Sequence, residues 1–217
     1  QTGSVITSCT VPNTTALIFD DGPYIYLYVM FLTHGVVFRQ NIVDMLDAKG
    51  VKGIFFVSTY YIDFAFSLAG FSPHSNFSDS NNLCSSLTDN EFQLTTNAAA
   101  LEKILGVKVV LMGPPYGSYT DSVLQVAAAH NQSMIIWDFD SGDSIRETAV
   151  NSEKDYDTLV AKHPNMILTL NHETIGDTTI LPHALDDILG AGYNLMTVTE
   201  CLGLPTYLSV AVLSVQD

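Results

Sequence analysis

The sequence predicts an α/β fold in which strands and helices alternate around a parallel sheet. Three observations carry that expectation. Short apolar runs recur along the chain, each ended by turn or polar residues, and segments with helical spacing of apolar side chains lie between them. The chain is also 47% hydrophobic and only 14% charged, enough apolar material for a real core. With 217 residues and no internal repeat, low-complexity tract or linker, residues 1–217 read as one domain.

Taken in order, Thr15 to Phe19 is a buried strand stopped by Asp20-Asp21-Gly22-Pro23. Gln40 to Lys49 places Ile42, Val43 and Leu46 on one helical face and ends at Gly50, and Ile54 to Val57 is the next buried strand. Thr88-Asp89-Asn90-Glu91 is a capping box opening a helix that runs through Leu101, Ile104 and Leu105 to Gly106. The alternation then continues with a strand from Val109 to Met112, a turn at Pro114-Pro115-Tyr116-Gly117 and a helix over Asp121 to Ala129. A strand over Met134 to Trp137, a helix over Asp155 to Lys162 and a strand over Met166 to Leu170 follow, and a helix over Pro182 to Leu189 precedes a last strand, Leu195 to Val198. Such a chain forms either an open doubly wound sheet or a closed barrel, and in both the ligand site lies at the C-terminal ends of the strands.

Composition removes several function classes. Eight Lys+Arg against 23 Asp+Glu give a formal charge of −15, which excludes a nucleic-acid partner because phosphate binding needs a basic face. The uncharged stretch from Tyr24 to Phe38 is shorter than the ~20 apolar residues of a bilayer span and is interrupted by Thr33, His34 and Gly35, so no membrane span is expected. The sequence starts at Gln1 without a leader pattern, so the protein was never exported or its signal has been removed. Three acceptor sequons, Asn13-Thr14-Thr15, Asn76-Phe77-Ser78 and Asn131-Gln132-Ser133, favour export. Of the three cysteines, Cys9 and Cys201 lie near the chain ends, where termini meet, and are expected to pair, leaving Cys84 free.

The unusual polar groups stand at strand ends. Asp20 and Asp21 follow the first strand, Tyr116 follows the strand ending at Met112, Asp138, Asp140 and Asp143 follow Trp137, and His172 follows Leu170. Adjacent carboxylates at a strand end point in different directions, so one can bind a metal while the other accepts a proton. A histidine across the same mouth can be the acid when a carboxylate such as Asp143 orients and charges it. This set suggests metal-assisted hydrolysis, in which a divalent ion polarises a carbonyl and acidifies its bound water. No phosphate-cradling glycine loop and no Gly-x-Ser-x-Gly elbow occurs, against nucleotide and serine-hydrolase chemistry. His34, His130, His163 and His183 lie outside these motifs and read as surface or helix-end residues.

Phe19-Asp20-Asp21-Gly22-Pro23, Pro114-Pro115-Tyr116-Gly117, Trp137-Asp138-Phe139-Asp140-Ser141-Gly142-Asp143 and Leu170-Asn171-His172-Glu173, in this order, resemble the polysaccharide deacetylases of carbohydrate esterase family 4, above all the fungal chitin deacetylases. The resemblance runs from about Cys9 to Cys201. It implies a distorted parallel (β/α) barrel of the NodB homology type that removes acetyl groups from N-acetylglucosamine units of chitin or a related polymer, with zinc or a similar divalent ion. Carried over by motif position, Asp20 is the general base, Asp21 a metal ligand, His172 the general acid and Asp143 its orienting carboxylate. The Tyr116 backbone amide belongs to the oxyanion hole, and Pro115, Leu170 and Trp137 line the substrate site. The implied partners are chitin or chitosan oligomers, and the implied setting is a secreted, wall-associated monomer.

The sequence departs from the family pattern at the metal. The expected pair of histidines four apart falls in Gly70 to Leu83, where His74 is the one histidine. In one register His74 survives as a ligand and Ser78 stands at the other position; in the second, fixed by spacing to Leu83, Asn76 and Ser80 occupy both places. A serine hydroxyl is a weak zinc ligand beside imidazole, so affinity falls unless Asp79 or a water compensates. Gly113 stands where an arginine partner of the general base is usual, and Ser144 stands where a tryptophan often follows the last aspartate of its motif. Val29 to Arg39 reads as an insertion and Thr59 to Ser72 as too short for a strand and helix; a wrongly spliced transcript would produce both.

Overall fold

A computed structural model describes residues 3–22, 35–57, 76–80, 98–99, 101–102, 106–145, 148–172 and 175–210, some of them by backbone only. Its main sheet is parallel throughout. In chain order the strands are β1 (Val5–Ile6), β2 (Thr14–Gly22), β3 (Ile54–Val57), β4 (Asn76–Ser80), β6 (Leu111–Gly113), β7 (Ser133–Ile135), β8 (Phe139–Asp140), β9 (Met166–His172) and β10 (Asn194–Leu195). They lie side by side as β1-β7-β6-β4-β3-β2-β9-β8, with β10 beside β2. A separate antiparallel pair joins β5 (Val107–Val109) to β11 (Tyr207–Val210).

The two ends of the sheet are brought together by the chain itself. Only Ile136, Trp137 and Asp138 separate β7 from β8, the Ile136 N–H donates to the Ile6 carbonyl on one side, and the Asp138 N–H donates to the Leu168 carbonyl on the other. The four Cα steps from Ile135 to Phe139 span at most ~14 Å, so the sheet curls round rather than lying open. This is the distorted parallel barrel that the motifs imply.

Period-2 alternation sorts the core into two layers. Leu17, Phe19, Phe55 and Ile167 face outward and pack with Ile42, Leu46, Tyr156, Leu181, Leu185 and Ile188 from the surrounding helices. Ala16, Ile18, Ile54, Phe56, Leu168 and Leu170 face the other way and fill the interior with Leu111 and Ile135. Cys9 and Cys201 close a disulfide in this inner layer, as their positions near the chain ends predict. Cys84 lies outside the described residues.

The helices are α1 (Gly35–Lys49), α2 (Asp121–Ala129), α3 (Ala149–Lys162), α4 (Ile175–Gly190) and α5 (Val198–Leu202). α2 and β3 have the predicted bounds. α1 starts five residues before Gln40, so the end of the Val29–Arg39 segment is helical. α3 starts earlier than Asp155 because Thr148 caps it, its hydroxyl accepting from the Asn151 N–H at 3.3 Å. α4 runs through Pro182 instead of starting there; the buried row Ile180, Leu181, Ala184, Leu185 and Ile188 holds it across the missing hydrogen bond. Of the predicted strand Leu195 to Val198 only Leu195 is strand. Thr197 and Glu200 form a reciprocal capping box that turns Val198 into the first residue of α5. The predicted capping box at Thr88, the short Thr59–Ser72 segment and residues 29–34 lie outside the described residues.

Candidate active site at the strand ends

The rim of the barrel is set by register. Asp20 at the end of β2 is the pairing partner of His172 at the end of β9, and neighbouring strands lie about 4.8 Å apart. By alternation with Ile18, Leu168 and Leu170, both residues belong to the inner face. Leu170 is buried one pleat below, where the motif places a pocket wall.

Asp143 grips His172 twice. Its Oδ2 accepts the His172 backbone N–H at 2.7 Å, and its Oδ1 stands 2.8 Å from Nδ1 of the ring. The carboxylate side chain is fully buried and the imidazole is 10% exposed. Because Oδ1 is an acceptor, Nδ1 carries the proton of this contact. Ser141, also buried, donates its hydroxyl to the same Oδ1 at 2.9 Å and fixes the carboxylate from behind.

The other two aspartates of this motif are structural. Asp138 accepts the Leu168 N–H at 2.8 Å and stitches the chain to β9; burial raises its carboxyl above the ordinary aspartate value, opposed by that hydrogen bond. Asp140 accepts the Gly142 N–H at 2.9 Å and shapes the turn into Asp143.

Tyr116 is 88% exposed and holds φ at +56°, a left-handed conformation uncommon for a residue with a side chain. It sits in a 3-10 turn, Pro115–Gly117, just after β6, closed by the Gly117 N–H on the Pro114 carbonyl at 3.1 Å. Gly117, at φ +64°, is strained for any side chain, and a Cβ there would press on the Trp137 ring at 3.1 Å. Trp137 therefore underlies this turn and joins the third motif to the fourth.

Two residues that sequence reading missed stand behind His172. Asn171 is buried and donates its side-chain amide to the Ile18 carbonyl at 3.1 Å and to Thr169 Oγ1 at 2.9 Å, while its Oδ1 accepts the Tyr156 hydroxyl at 2.6 Å. This network ties β9 to β2 and to α3 directly below the dyad. The sequence signals for Asn171 were its place in the fourth motif and its polarity inside an apolar strand.

At the metal side, β2 carries Asp21 to the rim, but its side chain, His74 and the Pro115 side chain lie outside the described residues. β4 runs from Asn76, opposite Ile54, to Ser80, opposite Gly113. Asn76 and Ser80 are thus at opposite ends of one strand, and only Ser80 reaches the rim. The donor types available, a carboxylate and one imidazole, suit a divalent cation, while their number falls one imidazole short of the usual three protein ligands of catalytic zinc. A different grouping, Asp157, His183 and Asp187, brings three ligand atoms within 4.8 Å of one another, but it lies on the helices α3 and α4, away from the strand ends.

Comparison with known proteins supports this reading. The family model described as polysaccharide deacetylase matches residues 71–135. A probable peptidoglycan-N-acetylglucosamine deacetylase of Arthroderma benhamiae is 29% identical over 94% of this chain, and a chitin deacetylase of Pestalotiopsis is 27% identical over 93%. Over nearly its whole length this chain is similar to fungal polysaccharide deacetylases. It spans 47% of the first of these relatives and 67% of the second. Among solved structures, the chitin deacetylase of Colletotrichum lindemuthianum superimposes with a TM-score of 0.76 at 21% identity, covering 94% of both chains. A family 4 pseudoenzyme of Bacillus anthracis superimposes with a TM-score of 0.74 at 19% identity, over 93% of this chain and 69% of its own. The polysaccharide deacetylase barrel is therefore shared both by a protein named as an enzyme and by one named as a pseudoenzyme.

Proposed function

We propose that this protein is a secreted, monomeric polysaccharide N-deacetylase acting on chitin or chitosan oligomers. The observation that carries the proposal is the Asp143–His172 dyad, held two ways and in register with Asp20. Asp20 takes the proton of the attacking water, and His172, with Nδ1 committed to Asp143, delivers a proton from Nε2 to the departing amine. The left-handed turn at Tyr116 presents its backbone N–H to the oxygen that gains charge. Leu170 closes the acetyl pocket, and Pro115 and Trp137 border the sugar. Asp21 and His74 would hold a divalent ion, with zinc the expected one, which when bound polarises the acetyl carbonyl and acidifies a water.

Export rests on the Cys9–Cys201 disulfide, which persists in oxidising compartments, and on the three sequons. No described helix is long and apolar enough to cross a membrane.

A second reading has its own observation. The missing histidine favours a homologue that keeps the groove and binds chitin or chitosan in the wall without turnover, and the charge of −15 would draw already deacetylated, cationic polymer. Acetate release from a chitin oligomer, compared between wild type and His172→Ala, separates the two. Release that depends on His172 supports the enzyme, and oligomer binding without release supports the binder.

A further inference from the structure

The three sequons occupy very different places. Asn13 is half-buried and donates its side-chain amide to the Gly192 carbonyl at 2.7 Å, next to the fully buried Thr14 and Thr15. Asn76 opens β4, a strand flanked on both sides in the middle of the sheet. Asn131 is exposed: it sits in the tight turn between α2 and β7 at φ +58°, its backbone N–H closing on the Ala128 carbonyl. That turn is at the N-terminal end of the strands, where Ser133 pairs with Leu111, and so at the opposite end of the barrel from Asp20 and His172.

Beside Asn131 lies a cavity of about 370 Å³. Ala98, Ala99, Val109 and Leu208 give it apolar walls, and Lys108 and Glu102, 3.4 Å apart, supply a charged edge. Gln132, the middle residue of the sequon, contributes to the same lining and is 1% exposed, with neither polar atom of its carboxamide hydrogen-bonded. An N-acetylated sugar matches such a lining, with an apolar ring face and methyl for the alanines, valine and leucine and hydroxyls for the ion pair.

We infer that Asn131 carries an N-linked glycan and that its first N-acetylglucosamine lies over this cavity. The inference rests on the export reading above. The step joins Asn131 Nδ2 to C1 of the sugar of a lipid-linked oligosaccharide pyrophosphate. The C1–O bond breaks, the pyrophosphate leaves with the electron pair, and Nδ2 loses one proton. A glycan at this end leaves the polymer-binding rim clear.

The test is to secrete the full chain from yeast behind a foreign leader, so that its own localisation does not enter, and to map glycosylated asparagines by peptide mass spectrometry after release in heavy-oxygen water. Asn131 is expected to be occupied, and Asn131→Gln to lose that glycan. Protein trimmed to one sugar should melt with the fully glycosylated form, while complete release should lower Tm by about 2–4 °C. Asn131→Asp, made without a glycan, controls for the carboxylate that enzymatic release leaves behind. An unmodified Asn131 in secreted, disulfide-bonded protein overturns the site, and an unchanged Tm after complete release overturns the covering of the cavity. Fractionation of the native cells tests export separately.

Discussion

Two histidines of this protein face aspartates at almost the same distance, and their surroundings make them different devices. His172 Nδ1 is 2.8 Å from Asp143 and His183 Nε2 is 2.7 Å from Asp157. In the first pair His172 ends β9 and Asp143 lies in the turn after β8, and the two are 10% and 0% exposed; the second bridges the helices α3 and α4 and is 37% and 54% exposed, with Asp187 at 3.3 Å as a second acceptor. Around Asp143 both carboxylate oxygens have assigned donors, the His172 backbone and ring and the Ser141 hydroxyl. Around His183 water competes for each group. Pair distance alone therefore says little about function, and what marks the dyad is burial, a second hydrogen bond to the same residue, and placement at a strand end.

Breaking the buried pair should have the largest effect. Asp143→Asn keeps the shape but removes the acceptor that fixes the ring tautomer, and acetate release should fall about 1,000-fold, equivalent to about 4 kcal/mol of barrier. The matching change on the helices, Asp157→Asn, should leave acetate release unchanged. Equal losses in both variants would erase the distinction.

A smaller effect is expected one layer behind. Tyr156→Phe removes the 2.6 Å donor to Asn171 Oδ1 and leaves a buried acceptor unpaired, which costs about 1–3 kcal/mol in denaturant unfolding. If the network positions His172, the pH profile of acetate release shifts as well; loss of stability with an unchanged profile would limit Tyr156 to packing.

The smallest effect belongs to the exposed pair, and its sign with pH is fixed. The hydrogen bond that His183 donates to Asp157 holds the imidazole above the ordinary histidine value, and the same bond lowers Asp157. Burial pushes the Asp187 carboxyl up. A group whose folded value is raised contributes stability fully below its unfolded value, about 6.5, and loses it as pH rises through the folded value. Wild type should thus melt above His183→Gln by under about 2 °C below pH 6.5, and the difference should vanish at alkaline pH. A difference that grows with pH would contradict the assignment.

How much of this was legible in the sequence follows the same division. Asp20 and His172 were legible because each interrupts an apolar strand at its end, and alternation then fixes their face. The bounds of Ile54–Val57 and Asp121–Ala129 were legible because Gly and Asp mark them. The roles of Asn171, Ser141 and Tyr156 were not, since Tyr156 meets Asn171 across 15 residues and Asn171 meets Ile18 across 153, contacts that only the closed barrel creates. The helix at Val198 was missed because a capping box competed with a β-like apolar run and won. Placement after Trp137 alone leaves Asp138, Asp140 and Asp143 alike; motif position singled out Asp143, and the structure pairs it with His172 while Asp138 and Asp140 hydrogen-bond to backbone.

The central claim is that the buried dyad and Asp20 serve deacetylation with a divalent ion on Asp21 and His74. The most direct test is acetate release from a chitin oligomer together with elemental analysis of purified protein dialysed against trace zinc. The account predicts close to one metal per chain and acetate release that chelation abolishes. Metal-free protein that releases no acetate, while still binding the oligomer, would contradict it and leave a chitin-binding homologue.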